Sequence, residues 1–516
     1  MVNWVLLLLF TASVGAQDRT LSDSITVNVV EVPVYVERFG VPVTGLARED
    51  FELFVNGASQ AIESFDAQDE GRDAAATGAF AVSPPLHRRR LVLLLFDIAA
   101  SSTPVLVRAQ SHAARVVEEA APGDTFSIAT LGRDGVRFAV PFTKDRKAIQ
   151  SSITTLAPSR VGDPFRLASL EIERVRSLVS GAEAGIGNFE DLWDKDGQGL
   201  APGGLGTSSA ASNAADANAV AMRLQEEEIQ QQTRGMTDEL GALAERLAPL
   251  PGIKHVVLLT ERRRSDSGWM SGYLRASKMH ERFKKAGVIL DAVDIGFARA
   301  PNGERMPDLG PAPFLYTLAL ETGGAVTSSL QALRERNRSV YVLGFQPRGI
   351  QRKTNSIEVR VKGQPLLTDV RYRRSYSLDA TIPDQPDGLL LADALMNDIP
   401  QDGVSVKLRA GSVRGATSLV ASVPGVELLA RPAGEPVVLD VYFYVFDAQG
   451  SAVAWSQSRV AIDLEKGRDF LLENEFTVRQ EFRLAPGQYV GKALIRVVGT
   501  ELTGFRRAEF SLPGAE

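Results

Sequence analysis

The residues best placed to do chemistry in this chain are a lone carboxylate and the hydroxyls that follow it. Arg90-Leu-Val-Leu-Leu-Leu-Phe-Asp97 runs through six apolar residues into one acid, and Ser101, Ser102 and Thr103 come next, ahead of Pro104. A run apolar on both faces predicts the central strand of a parallel sheet covered on two sides. Cap residues followed by proline predict a helix start. Asp97 then stands at the carboxyl end of a strand, beside a helix N-terminus, where open α/β sheets bind ligands. Glu261 closes a second apolar pattern, His255-Val-Val-Leu-Leu-Thr260. A plainer reading of the same residues is structural: Asp97 and Ser101 cap the helix, and Glu261 pairs with Arg262, Arg263 or Arg264.

Other chemistries fail on residue type or spacing. Asp194-Lys-Asp196-Gly197 begins like a calcium loop, but Leu192 and Gly203 stand where that pattern needs oxygen ligands. His280-Glu281 lacks the second histidine of a zinc-protease helix, and the four histidines are far apart in the chain, each reading as a surface or core residue. Nucleophile-elbow, phosphate-loop and dinucleotide fingerprints are missing. With no cysteine, thiolate nucleophiles, disulfides and Cys-ligated zinc are excluded. A net charge of -6 without a basic stripe speaks against nucleic acid.

The elements that must position Asp97 follow from the hydropathy pattern. A chain of 516 residues predicts about three domains, and 44% hydrophobic with 23% charged residues is a globular balance. Residues 1–16 read as an export signal with an apolar core at Val5–Phe10, Val14-Gly15-Ala16 before the cleavage point and no transmembrane segment in the mature chain; a buried N-terminal strand is the alternative. Residues 24–68 form a β pattern with a bulge or edge position near Pro33 and a hairpin at Asn56-Gly57. Residues 69–87 read as a linker. From 88 to 347 strands alternate with helices, with Val340–Phe345 as the last strand of that sheet and a Gly/Ala/Ser/Asn-rich insert at 181–218 expected to be a surface loop. Residues 350–376 are expected to complete the N-terminal β module. Residues 388–516 read as a C-terminal antiparallel sandwich of immunoglobulin-like kind.

The order of elements resembles a von Willebrand factor type A domain, and its flanks resemble the acidobacterial-type VWFA-related proteins. Thr26–Val36, Pro42-Val-Thr-Gly-Leu46, Glu49–Phe54, Glu321-Thr-Gly-Gly324, Tyr341-Val-Leu-Gly-Phe345 and Ile357–Lys362 carry that resemblance, in order, over nearly residues 20 to 380. The expected fold class is therefore α/β plus β: a doubly wound, mostly parallel, Rossmann-like sheet flanked by β-sandwich modules. The resemblance also implies a rim site in which Asp97, Ser101, Asp163 and Glu261 offer oxygens to Mg²⁺ or Mn²⁺. Ala99 stands where the family has a serine, Asp163 where it has a threonine and Glu261 where it has an aspartate, so a degenerate metal site is expected. The function so implied is an exported, non-enzymatic adhesion, protein-binding or scaffold role with a protein partner, in the periplasm, at the surface or outside a Gram-negative cell. An envelope hydrolase and a purely structural envelope component are the competing expectations.

Overall fold

The computed structural model describes residues 29–70, 86–98, 101, 103–132, 135–156, 236–261, 269–295, 313–348, 352–363, 368–377, 388–413, 416–429, 437–448 and 450–513. The expected export segment 1–16, most of the expected linker 69–87, Asp163 and the expected insert 181–218 lie outside the described residues.

The expected α/β fold class is corrected. Among the described residues the structure is mostly β, with 48% strand and 29% helix, and it is built from several antiparallel sheets and one mixed sheet, so a doubly wound parallel Rossmann-like core is not what organises it. The misreading has a physical source. An apolar run buried on both faces looks the same in a parallel sheet and at the centre of an antiparallel sheet under a second layer. Ser339–Phe345 is such a run, buried along its whole length. Instead of closing the sheet of Asp97, it pairs antiparallel with Val30–Arg38 on one side and Ser64–Asp69 on the other.

Around Ser339–Phe345 a β unit forms from both flanks of the chain. Val30–Arg38 pairs with Thr368–Tyr372 along its second half, and Phe51–Val55 pairs with Asn355–Val361 in a second sheet. The two sheets share a core of Val32, Val34, Leu53, Leu343 and Phe345. Pro33 pairs with Val342 where the partner on the opposite side, Thr368–Tyr372, has not yet begun, so its missing N–H leaves no gap in a ladder. Asn56 and Gly57 both take positive φ, as a two-residue hairpin turn requires, and join Phe51–Val55 to Ala58–Gln60. Tyr341 Oη holds the loop ahead of Phe51–Val55 by donating to Val43 O at 2.8 Å.

The mixed sheet has six strands in the order Val326–Thr327, Val288–Asp294, Ile253–Thr260, Arg90–Asp97, Thr125–Gly132 and Gly135–Thr143. Neighbours are parallel except for the last pair. Leu91, Leu93 and Leu95 face one apolar core, with Leu240 and Leu243 of helix 236–247 and Phe283 of helix Trp269–Ala286. Leu94 and Phe96 face the opposite core, with Ala109 and Ala113 of helix Thr103–Glu119. Alternation along one strand thus supplies both layers, which is why Arg90–Asp97 is apolar without a break.

The C-terminal region folds as a three-stranded and a four-stranded antiparallel sheet around one core that includes Leu419, Leu439, Val441 and Ile495. Helix Gly388–Asn397 bridges this region to the mixed sheet. Its Leu389 joins the core of that sheet, while Leu391 and Leu395 pack with Tyr442, Tyr444 and Leu494. Among the described residues no helix is long and apolar enough to cross a membrane.

Candidate functional site

Two strand ends build the rim above the mixed sheet. Arg90–Asp97 and Ile253–Thr260 run side by side and parallel, so their last residues emerge at the same edge. Asp97 is 0% exposed. Thr260, itself buried, donates its Oγ1 hydrogen to Asp97 Oδ2 at 2.8 Å. One residue on, the Glu261 N–H donates to Ser101 Oγ at 3.3 Å, which ties the two rim loops together. Ile98, between these bonds, keeps 41% of its surface exposed.

The structure therefore brings Asp97, Ser101 and Glu261 to one edge, and Asp163 lies outside the described residues. What joins them is hydrogen bonding between loops. Among the described residues no group of three or more His, Cys, Asp or Glu is arranged to hold a metal ion. The Thr260 hydroxyl sits on the Asp97 carboxylate and the Ser101 oxygen accepts a backbone N–H. Thr260, the partner that fixes Asp97, is missed by a reading that looks only for acids and serines.

A second polar constellation lies inside the molecule. His255 Nδ1 is 2.6 Å from Asp291 Oδ2, and His255 Nε2 is 2.7 Å from Tyr35 Oη. Asp291 also accepts from Ala325 N–H at 2.8 Å and from Asn337 Nδ2 at 3.3 Å. Asn337 Oδ1 in turn accepts from Arg371 at 2.9 Å, and Arg371 Nε donates to Glu37 at 2.9 Å. Burial opposes the charge on Asp291, but the charge and hydrogen bond of His255, the charge of Arg371 and the Ala325 N–H together hold its carboxyl below the usual range. Burial pushes the Tyr35 phenol well above its ordinary range.

A histidine oriented by a carboxylate and facing a hydroxyl is an arrangement that acid–base catalysis uses. Here Tyr35, His255 and Asp291 are 2%, 3% and 0% exposed, and the chain of bonds fastens layers of the fold together. In sequence, His255 and Asp291 are single polar residues inside apolar strands. That pattern marks a buried pairing without naming the partner. No family model matches the chain, and no curated protein does.

Proposed function

We propose that this chain is an exported, non-enzymatic binding or scaffold protein that engages a protein partner at the carboxyl-end rim of the mixed sheet, without using a divalent cation. The observation that carries the reading is the Ser101–Glu261 bond beside the exposed Ile98. It ties two loops across neighbouring strands and so holds the rim around Ile98 in place, and a surface ordered beforehand lowers the entropic cost of association. Export rests on the character of residues 1–16 in the sequence.

Two measurements test this. Calorimetric titration of the full chain with Mg²⁺ and Mn²⁺ is expected to show no saturable binding, whereas saturable heat lost in Asp97→Asn would overturn the cation-free reading. A photo-crosslinking residue at position 98, in cells producing the protein, is expected to yield a discrete protein adduct. Adducts from position 453 on the C-terminal sheet but none from position 98 would move the binding surface away from the rim and favour a structural role for it.

A further inference from the structure

The mixed sheet has a second end. At the amino-terminal edge of Ile253–Thr260 and Val288–Asp294, against Val30–Arg38, lies a cavity of about 360 Å³. That volume falls in the range of small-molecule sites, about 300–1,000 Å³. The charged residues lining it are Lys254, Lys284, Lys285 and Arg373 against Glu31 and Glu321. Lys284 is matched, with Nζ 3.4 Å from Glu321 and 3.7 Å from Glu281. Lys254 and Arg373 are not matched in this way. The acid acting on both of them is Glu31, whose side chain is exposed to water.

Both cations are half-buried and held in place. Lys254 Nζ donates to Leu250 O at 3.0 Å, and one terminal nitrogen of Arg373 donates to Glu31 O at 2.6 Å. The Arg373 Nε is buried with no hydrogen-bond partner. Gly287 borders the guanidinium: a Cβ at that position would stand 3.4 Å from an Arg373 terminal nitrogen, an ordinary contact. Burial, and then the neighbouring Arg373 charge, lower Lys254 to about 8, while burial lowers Arg373 to about 10. Two cations held side by side in a half-buried cleft raise each other's energy until an anion joins them. A guanidinium fork is shaped for a carboxylate or a phosphate.

We propose that this cleft binds a small organic anion, with its carboxylate or phosphate between Arg373 and Lys254 and its apolar body against Val29 and Pro33. The site is independent of the rim and stands or falls separately from it. The probes are benzoate and phenyl phosphate, added to the full chain while surface amines are acetylated and read by mass spectrometry. Saturable protection of Lys254 by one probe or both is expected, with Lys466, whose side chain is 87% exposed, unaffected. The probe that protects better identifies the head group.

Arg373→Gln is expected to weaken protection about tenfold, the effect of losing one charge-assisted hydrogen bond. Affinity is expected to fall as the pH rises above about 8, where Lys254 loses its proton. No protection of Lys254 by either probe in the wild-type chain overturns the proposal, whether or not the variant folds. Equal protection in a folded Arg373→Gln protein overturns it too.

Discussion

Tyr35 Oη and His255 Nε2 lie 2.7 Å apart across 220 residues of sequence, and that bond fastens the N-terminal β unit to the mixed sheet. Tyr35 also packs edge-on against the His255 ring and carries the Arg371 guanidinium 4.8 Å above its own ring. Tyr35→Phe preserves those ring contacts and removes only the hydroxyl, leaving His255 Nε2 buried without its partner. The expected loss is about 1–3 kcal/mol. Urea unfolding should show a lower midpoint with an unchanged slope.

Glu37 is 1% exposed and sits between two arginines. Arg336 Nε donates to it at 2.7 Å and Arg371 Nε at 2.9 Å. Burial raises the cost of its charge, yet the hydrogen bond from Arg336 and the charge of Arg371 outweigh that cost and hold the carboxyl below its ordinary value. A depressed folded-state value means that the stabilisation is fully present above the unfolded value, about 4.3, and is lost as pH falls through the folded one. Glu37→Gln should therefore cost about 3 kcal/mol near neutrality, because Arg371 keeps its buried charge but loses the carboxylate it is hydrogen-bonded to. Thermal melts in acid should show the gap between wild type and variant narrowing as the pH is lowered.

Arg89 and Asp393 form a two-pronged pair at 3.0 and 2.7 Å, both nearly sealed from water. Asp393 lies on helix Gly388–Asn397, and the same helix sends Asn397 Nδ2 to Phe142 O at 2.8 Å. This helix is the joint between the mixed sheet and the C-terminal sheets. Asp393→Ala leaves a buried guanidinium and should destabilise by about 3–5 kcal/mol. Calorimetry is the check: the C-terminal sheets, which keep their own core, should melt as a separate transition in the variant.

Gly323 and Gly324 explain in physical terms the Thr-Gly-Gly sequence before the short strand Val326–Thr327. Gly323 has φ +85, and a Cβ on Gly324 would stand 1.9 Å from Leu290 O. A backbone atom cannot rotate away as a side chain does. Gly324→Ala should lose about 3 kcal/mol, whereas Gly411→Ala, with open space around it, should change stability by less than about 1 kcal/mol. Denaturant midpoints of the two variants decide the comparison.

Much of the local structure was legible in the residues. The Arg90–Asp97 strand, the helix after Pro104 and the Asn56-Gly57 turn follow from apolar runs, cap residues and the need for positive φ, all of which act within a few positions. The fold class was not legible, because Ser339–Phe345 is apolar on both faces and its alternation is silent on whether its neighbours run parallel or antiparallel. At the rim, the position of Asp97 at a strand end was legible, while the Thr260 hydroxyl on Asp97 and the Glu261 N–H on Ser101 depend on which strand lies alongside.

By itself, then, the sequence determined periodicity, turns, caps and the burial of single polar residues in apolar strands. Tertiary structure alone decided that Tyr35 meets His255, that Arg89 meets Asp393, and that Lys254 and Arg373 share a cavity. The reason is that backbone preferences act between neighbours in the chain. Partners in an antiparallel sheet or a buried ion pair are chosen by shape and charge between segments hundreds of residues apart, where no local spacing carries a trace of the choice.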